Sequence, residues 1–264
     1  MAEIKRIMGC LNSPVDLRDY KTAPSKTVNL PSDFRLVREA QVLDQGFVGS
    51  CVAHSLASML ETEFFDRFST GFVYGYRPSG YSQEVGMYPR EALKTLNKIG
   101  NVKFDRFEEN VEMKRAKVLV DERFEDLRDV AAERKITGYA RLYTENDIKS
   151  FLYNTRTPIP ISISTENMKL VEGSSVLDLP KVYPKSNHMI LIVGWNELGF
   201  IVQNSWGKSW GDRGFAILPY EYKINEAWGV TLEGTPKKQE IFRPFLYALR
   251  EILMKIIELF KKKR

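Results

Sequence analysis

Only two of the 264 residues are cysteine and only two are histidine. The two cysteines, Cys10 and Cys51, provide no disulfide framework, so a reducing compartment is the simplest setting. The opening stretch, Met1 to Cys10, lacks the apolar core of a signal peptide, and no run reaches membrane-spanning length without charges. A cytoplasmic protein is expected, with packaging in a virion as the alternative. A broad basic face is missing too. Residues 237–264 hold nine Lys/Arg against three Glu, which leaves 30 basic and 31 acidic residues for the remainder. Basicity describes a tail, so no nucleic-acid partner is expected. No internal repeat is visible, and neither a cofactor nor a metal is expected.

What the chain has is enough length and apolar content, 43% hydrophobic residues, to bury a substantial core in one large domain or in two lobes about a cleft. Residues 1–29 are polar and turn-rich, with Ser13-Pro14 and Ala23-Pro24-Ser25. They read as a disordered or surface-lying leader, or more sharply as a segment that crosses the cleft and blocks it until removed. From Ser50 to Phe65, apolar residues at Val52, Leu56, Met59, Leu60 and Phe64 predict a central helix. The Gly-, Tyr- and Pro-rich run from Phe68 to Ser82 suits a long surface connection. Pro89 to Ile99 is a second helix stopped by Gly100, and Asp105 to Arg134 is a charged helical stretch with a solvated face. Strands then dominate: Tyr139 to Tyr143, Ile159 to Ser164 with period-two alternation, Met189 to Trp195, Phe200 to Gln203 and Phe215 to Leu218, with a short helix near Glu145 to Leu152. A helical first half and a strand-rich second half imply an α+β protein of two lobes, about 30–135 and 136–235.

The chemistry gathers around Gln45-Gly46-Phe47-Val48-Gly49-Ser50-Cys51. A helix N-terminus offers unpaired N–H groups and the positive end of a dipole, which favour a thiolate. Cys51 is thus placed as a nucleophile, although a buried small hydrophobe opening a core helix is the plainer alternative. A thiol needs a base and the base needs an orienting partner. His54 lies on the same helix as Cys51 and reads as structural, whereas His188 precedes a strand in the second half. Asn204 follows the next strand, where its amide oxygen would accept from the imidazole and fix its tautomer.

These segments resemble the papain-like cysteine peptidases, in particular compact bacterial and phage-type members. The likeness rests on Gln45 to Cys51, on Asn187-His188-Met189 through Gly194-Trp195, and on Asn204-Ser205-Trp206-Gly207 with Trp210-Gly211 and Gly214-Phe215. It implies a two-lobed α+β fold, a helical lobe facing an antiparallel β-barrel-like lobe across the active-site cleft. It also implies a cysteine endopeptidase acting on protein or peptide substrates through a thioester acyl-enzyme. In that scheme Cys51 attacks the carbonyl, His188 carries the proton, Asn204 orients His188, and Gln45 joins the Cys51 backbone N–H in holding the oxyanion. The pairing with histidine implies a thiol pKa lowered by several units. Gly86, Met87, Asn187 and Trp206 fall at substrate-contacting positions, Trp206 also shielding the Asn204–His188 bond. Another acyl transfer on the same triad, such as peptidoglycan-peptide cleavage, and a structural or partner-binding module of a phage particle are the alternatives.

Three departures from the family pattern stand out. Val48 replaces a frequent disulfide cysteine, Val52 replaces a tryptophan after the nucleophile, and Gly86-Met87-Tyr88-Pro89 keeps one glycine of a pair. The leader, 1–29, is short, and the resemblance makes it a candidate inhibitory pro-segment, as in a zymogen. Cys10 within it has no assigned role, thiol-linked inhibition being the alternative. Residues 30–235 form the expected peptidase domain. Beyond it, Phe242, Phe245, Leu246, Leu249, Ile252, Leu253, Ile256, Ile257 and Phe260 make the stripe of an amphipathic helix, 241–260, suited to self-packing, a protein partner or an anionic membrane surface.

Overall fold

The computed structural model describes residues 8–16, 19, 29–77, 86–107, 126–165, 168–184 and 187–232. Residues 1–231 make one compact unit. The expected helix at 241–260 lies outside the described residues, as do most of the charged stretch 105–134 and much of the leader.

Helix α1, Cys51–Phe64, forms where the apolar spacing predicts it and is buried from Cys51 to Leu60 without a break. A helix apolar on most sides has no solvent face to offer and must be enclosed. Part of that enclosure comes from a segment read from sequence as surface connection. Residues Thr70–Gly75 are instead a helix, α2, buried throughout and capped by Ser69, whose Oγ accepts from the Phe72 N–H at 3.0 Å. Its glycines and tyrosine suggest a loop, but Phe72 and Val73 are fully buried, and Phe72 shares a cluster with Val102, Phe107, Leu127 and Ala131. Burial of the aromatic ring outweighs weak helix propensity here. Leu127 and Ala131 belong to the helical residues 126–132 (α4), so the charged stretch contributes core as well as a solvated face. Helix α3, Pro89–Lys98, begins on its proline as expected.

Seven strands follow a path with one side pairing. They are β1 (Phe34–Arg35), β2 (Ile136–Arg141), β3 (Ile159–Ser164), β4 (Asn187–Asn196), β5 (Gly199–Gln203), β6 (Phe215–Pro219) and β7 (Ile224–Leu232), with α5 (Glu145–Thr155) between β2 and β3. Their order is β2-β7-β3-β4-β5-β6, with β1 on β4, and among the described residues the sheet is not closed. Strands β1 and β7 escaped sequence reading, the first because two residues carry no period, the second because Lys223 to Glu226 break its apolar run. The alternation in β3 marks no solvent face, since all six residues of this inner strand, flanked in the sheet by β4 and β7, are buried. Its serines are satisfied internally, Ser164 Oγ bonding Asn187 Oδ1 at 3.1 Å, so a polar position needs no solvent.

The burial of α2 leads to a test. Phe72→Ala is expected to lower unfolding stability by about 3–5 kcal/mol in urea titration, as for a core aromatic; a loss within about 0.5 kcal/mol would mean a surface connection.

Candidate active site

Cys51 is the first residue of α1, and Ser50 before it makes no side-chain cap. The first-turn N–H groups are therefore available to the thiol. One turn on, Ser55 Oγ donates to the Met189 carbonyl on β4 at 3.0 Å. Met189 follows His188, so this bond sets the helix start against the strand position that carries the imidazole. Sγ of Cys51 sits against the Met189 backbone N–H, with the N–H groups of Gly9, Val52 and Cys51 also directed at it.

His188 is fully buried, and its Nε2 is 2.7 Å from Asn204 Oδ1. With Nε2 committed to Asn204, Nδ1 is the nitrogen left for proton exchange with the thiol. Asn204 Oδ1 also accepts from the Ser205 N–H at 2.8 Å, and Nδ2 donates to the Met168 sulfur at 3.7 Å, so both ends of the amide are fixed. The Trp206 ring lies 4.8 Å from the imidazole, tilted by 35°, and His188 and Asn204 are both buried. Gln45 is seated beside this group because residues 43–45 run along 205–207, through Gln45 N–H to the Ser205 carbonyl at 2.9 Å and Gly207 N–H to the Leu43 carbonyl at 2.9 Å. Ser205 Oγ donates to Gln45 Oε1 at 2.8 Å, which turns the amide nitrogen outward, where Val48's carbonyl accepts one of its two hydrogens at 2.9 Å.

The other expected contact residues lie on the far side of the thiol, and they are engaged by the N-terminal stretch. Cys10 N–H donates to the Asn187 carbonyl at 3.3 Å, Leu11 N–H to the Met87 carbonyl at 3.1 Å, and Met87 N–H to the Gly9 carbonyl at 2.9 Å. A Cβ on Gly9 would meet the Gly49 carbonyl oxygen at 1.7 Å, and one on Gly86, whose φ is +74°, would meet the Gly9 carbonyl oxygen at 2.0 Å. Only paired glycines let the strap pass between these walls. Residues 9–11 thus run between Met87 on one side and Asn187 on the other, with Gly86 against Gly9, while Trp206 lies against His188. Cys10 is buried, its Sγ 3.3 Å from Ser162 Oγ, and both cysteines are free thiols.

The electrostatics differ from the sequence expectation. Burial pushes the Cys51 thiol up to about 11, although the surrounding N–H groups act against it. Desolvation likewise raises Cys10, with nearby Cys51 adding to the rise. His54 is buried in α1 as expected, its Nδ1 3.0 Å from the Ser50 carbonyl. Burial lowers its pKa to about 4. Sequence reasoning missed Ser55, Ser162, Met168 and Ser205. Of these, Ser205 stood inside the Asn-Ser-Trp-Gly segment, and the others carry no local signal.

An α+β fold with a thiol at a helix start and an asparagine-held imidazole on the facing strand defines the class of cysteine–histidine acyl-transfer proteins. The family described as papain family cysteine protease matches residues 86–231, and the chain belongs to it. It is 26% identical over 211 residues to an uncharacterized peptidase C1-like protein of Acanthamoeba polyphaga mimivirus, covering 70% of this chain and 66% of that one. It is 26% identical over 188 residues to a cathepsin L-like proteinase of Fasciola hepatica, covering 66% of this chain and 55% of the relative. The chain thus spans less than two thirds of these relatives' length. In fold it is similar to xylellain, a cysteine protease from Xylella fastidiosa, with a TM-score of 0.74 at 24% identity over 89% of this chain and 100% of that one.

The buried histidine yields a pH prediction. His54 is neutral in the fold and binds its proton only near pH 4, whereas the unfolded chain binds one near 6.5. The unfolded state therefore holds more protons between these values, and stability falls as pH falls through that window. His54→Gln should remove about 2–3 kcal/mol of the loss between pH 7 and pH 4.5, read by urea titration at both; an unchanged acid loss would place the sensitivity elsewhere.

Proposed function

We propose that this chain is a cysteine endopeptidase that cleaves peptide bonds through a thioester. The observation that carries the reading is the 2.7 Å contact from His188 to Asn204 beneath Trp206, with Cys51 Sγ against the N–H of the residue following His188. His188 Nδ1 takes the Cys51 proton as sulfur attacks the substrate carbonyl carbon. The oxyanion is met by the Cys51 N–H and by the hydrogen of Gln45 Nε2 that Val48 does not take. Collapse expels the amine, which leaves with the proton from the imidazolium. Water then attacks the thioester, giving its proton to His188, and the acid departs as Cys51 is restored. Asn204 keeps the ring in the plane both half-reactions use. Cys51 is expected to take up one equivalent of an epoxide-type thiol-protease inhibitor once residues 1–29 are released, located by mass; no adduct on Cys51 in folded protein would sink the reading. Gln45→Ala should cut kcat on a casein substrate by about 10²–10³; a change in KM alone would remove Gln45 from the oxyanion site.

Residues 8–16 are, in this reading, an inhibitory strap. They lie across Met87 and Asn187, the backbone partners an extended substrate would need, and Cys51 beneath them is fully buried. The full chain should be inactive until its mass drops by the loss of this segment. Full activity at the intact mass would refute the strap.

A further inference from the structure

The backbone bonds at Gly9, Cys10 and Leu11 are a modest hold on their own, since a neutral hydrogen bond contributes only about 0.5–1.5 kcal/mol net. A much stronger attachment lies farther along the same strap. Arg90, on α3, meets Asp19 through both faces of the carboxylate, Nε to Oδ1 at 2.8 Å and Nη2 to Oδ2 at 2.5 Å. Its Nη1 donates to the Pro14 carbonyl at 2.5 Å, and its backbone N–H to Ser13 Oγ at 3.2 Å. The pair is well sheltered, with side chains 7% and 12% exposed. On the sheet side, Ser13 N–H donates to Glu226 Oε1 at 2.5 Å. The other oxygen of Glu226 is held by Trp228 Nε1 and by Arg141, each at 3.0 Å. Both guanidinium groups lie near the Trp228 ring, that of Arg90 5.6 Å and that of Arg141 4.8 Å from its centre. The body thus presents a prepared acceptor and a prepared fork, and the strap supplies a carboxylate, a carbonyl, a hydroxyl and an N–H to them.

We propose that Arg90 and Glu226 form a two-point latch for Ser13, Pro14 and Asp19, and that the Arg90–Asp19 pair sets how often residues 9–11 leave the thiol. The inference rests on the strap reading above. A bidentate guanidinium–carboxylate pair with little water around it is roughly twice as strong as a neutral bond and fixes direction as well as distance. It also anchors the strap nine residues from Cys10. Opening Arg90–Asp19 therefore weakens the cover through the loss of this charge-assisted contact. The trigger that fits is whatever competes for a guanidinium or neutralises a carboxylate.

The test measures iodoacetamide labelling of Cys51 in the full chain at neutral pH, with Cys51 and Cys10 adducts resolved by peptide mass. Asp19→Asn is expected to label Cys51 about tenfold faster or more than the unaltered chain. The exchanged pair, Asp19→Arg with Arg90→Asp, should return the rate toward the original, and faster amide exchange at Leu11 and Met87 should accompany labelling in Asp19→Asn alone. Equal slow labelling in the unaltered chain and Asp19→Asn, within about twofold, would overturn the latch and leave the strap standing. Labelling of the unaltered chain at the rate of free cysteine would overturn the strap and the latch together.

Discussion

The docking of α1 on β4 is the constraint from which the site follows. Ser55's hydroxyl bonds the Met189 carbonyl, and the helix around it is enclosed by sheet, α2 and α3. Because a fully buried apolar helix in a close-packed interior can neither slide nor turn without losing contacts along its length, the position of its first residue is fixed as firmly as that of its middle. Cys51 inherits that rigidity. His188 inherits it from β4, whose pairing with β3 sets Ile163 opposite it. Cys51 and His188 thus stand on fully enclosed parts of the core.

The same enclosure works against the chemistry it positions. A nucleophile must lose its proton, yet burial pushes the Cys51 thiol to about 11 while four backbone N–H groups pull the other way. One of those donors, Gly9, belongs to the strap, so the strap both excludes water and contributes a weak opposing stabilisation. Desolvation is the larger of the two effects. With its pKa at about 11 the buried thiol is protonated near neutral pH, so enclosure itself lowers its reactivity.

Much of this was legible in the residues. The spacing from Val52 to Phe64 marks α1, Pro89 and Gly100 bracket α3, and the Asn-Ser-Trp-Gly segment carries Asn204, Ser205 and Trp206 in one run. The misreadings share a cause. Residues 70–75 look like loop by composition and are helix because Phe72 has a cluster to enter. The alternation in β3 carries no solvent face, because all six residues are buried and its serines are bonded internally, Ser164 to Asn187 and Ser162 to Cys10. Local pattern reports propensity, and packing overrides it where apolar area is large.

By itself the sequence determined the kinds of chemistry present: a cysteine at a helix start, a histidine at one strand, an asparagine just past the next, and a glutamine amide shortly before the cysteine. Only the tertiary structure decided how these groups are protonated, oriented and covered. It placed Met168 and Ser205 on opposite ends of two amides, threaded Gly9 between Gly49 and Gly86, and met Asp19 with Arg90, which lies 71 residues away along the chain. The reason is that such contacts join residues far apart in sequence, whose meeting depends on how a whole core packs. Burial, which sets the pKa of Cys51, is a property of that packing and of no single segment.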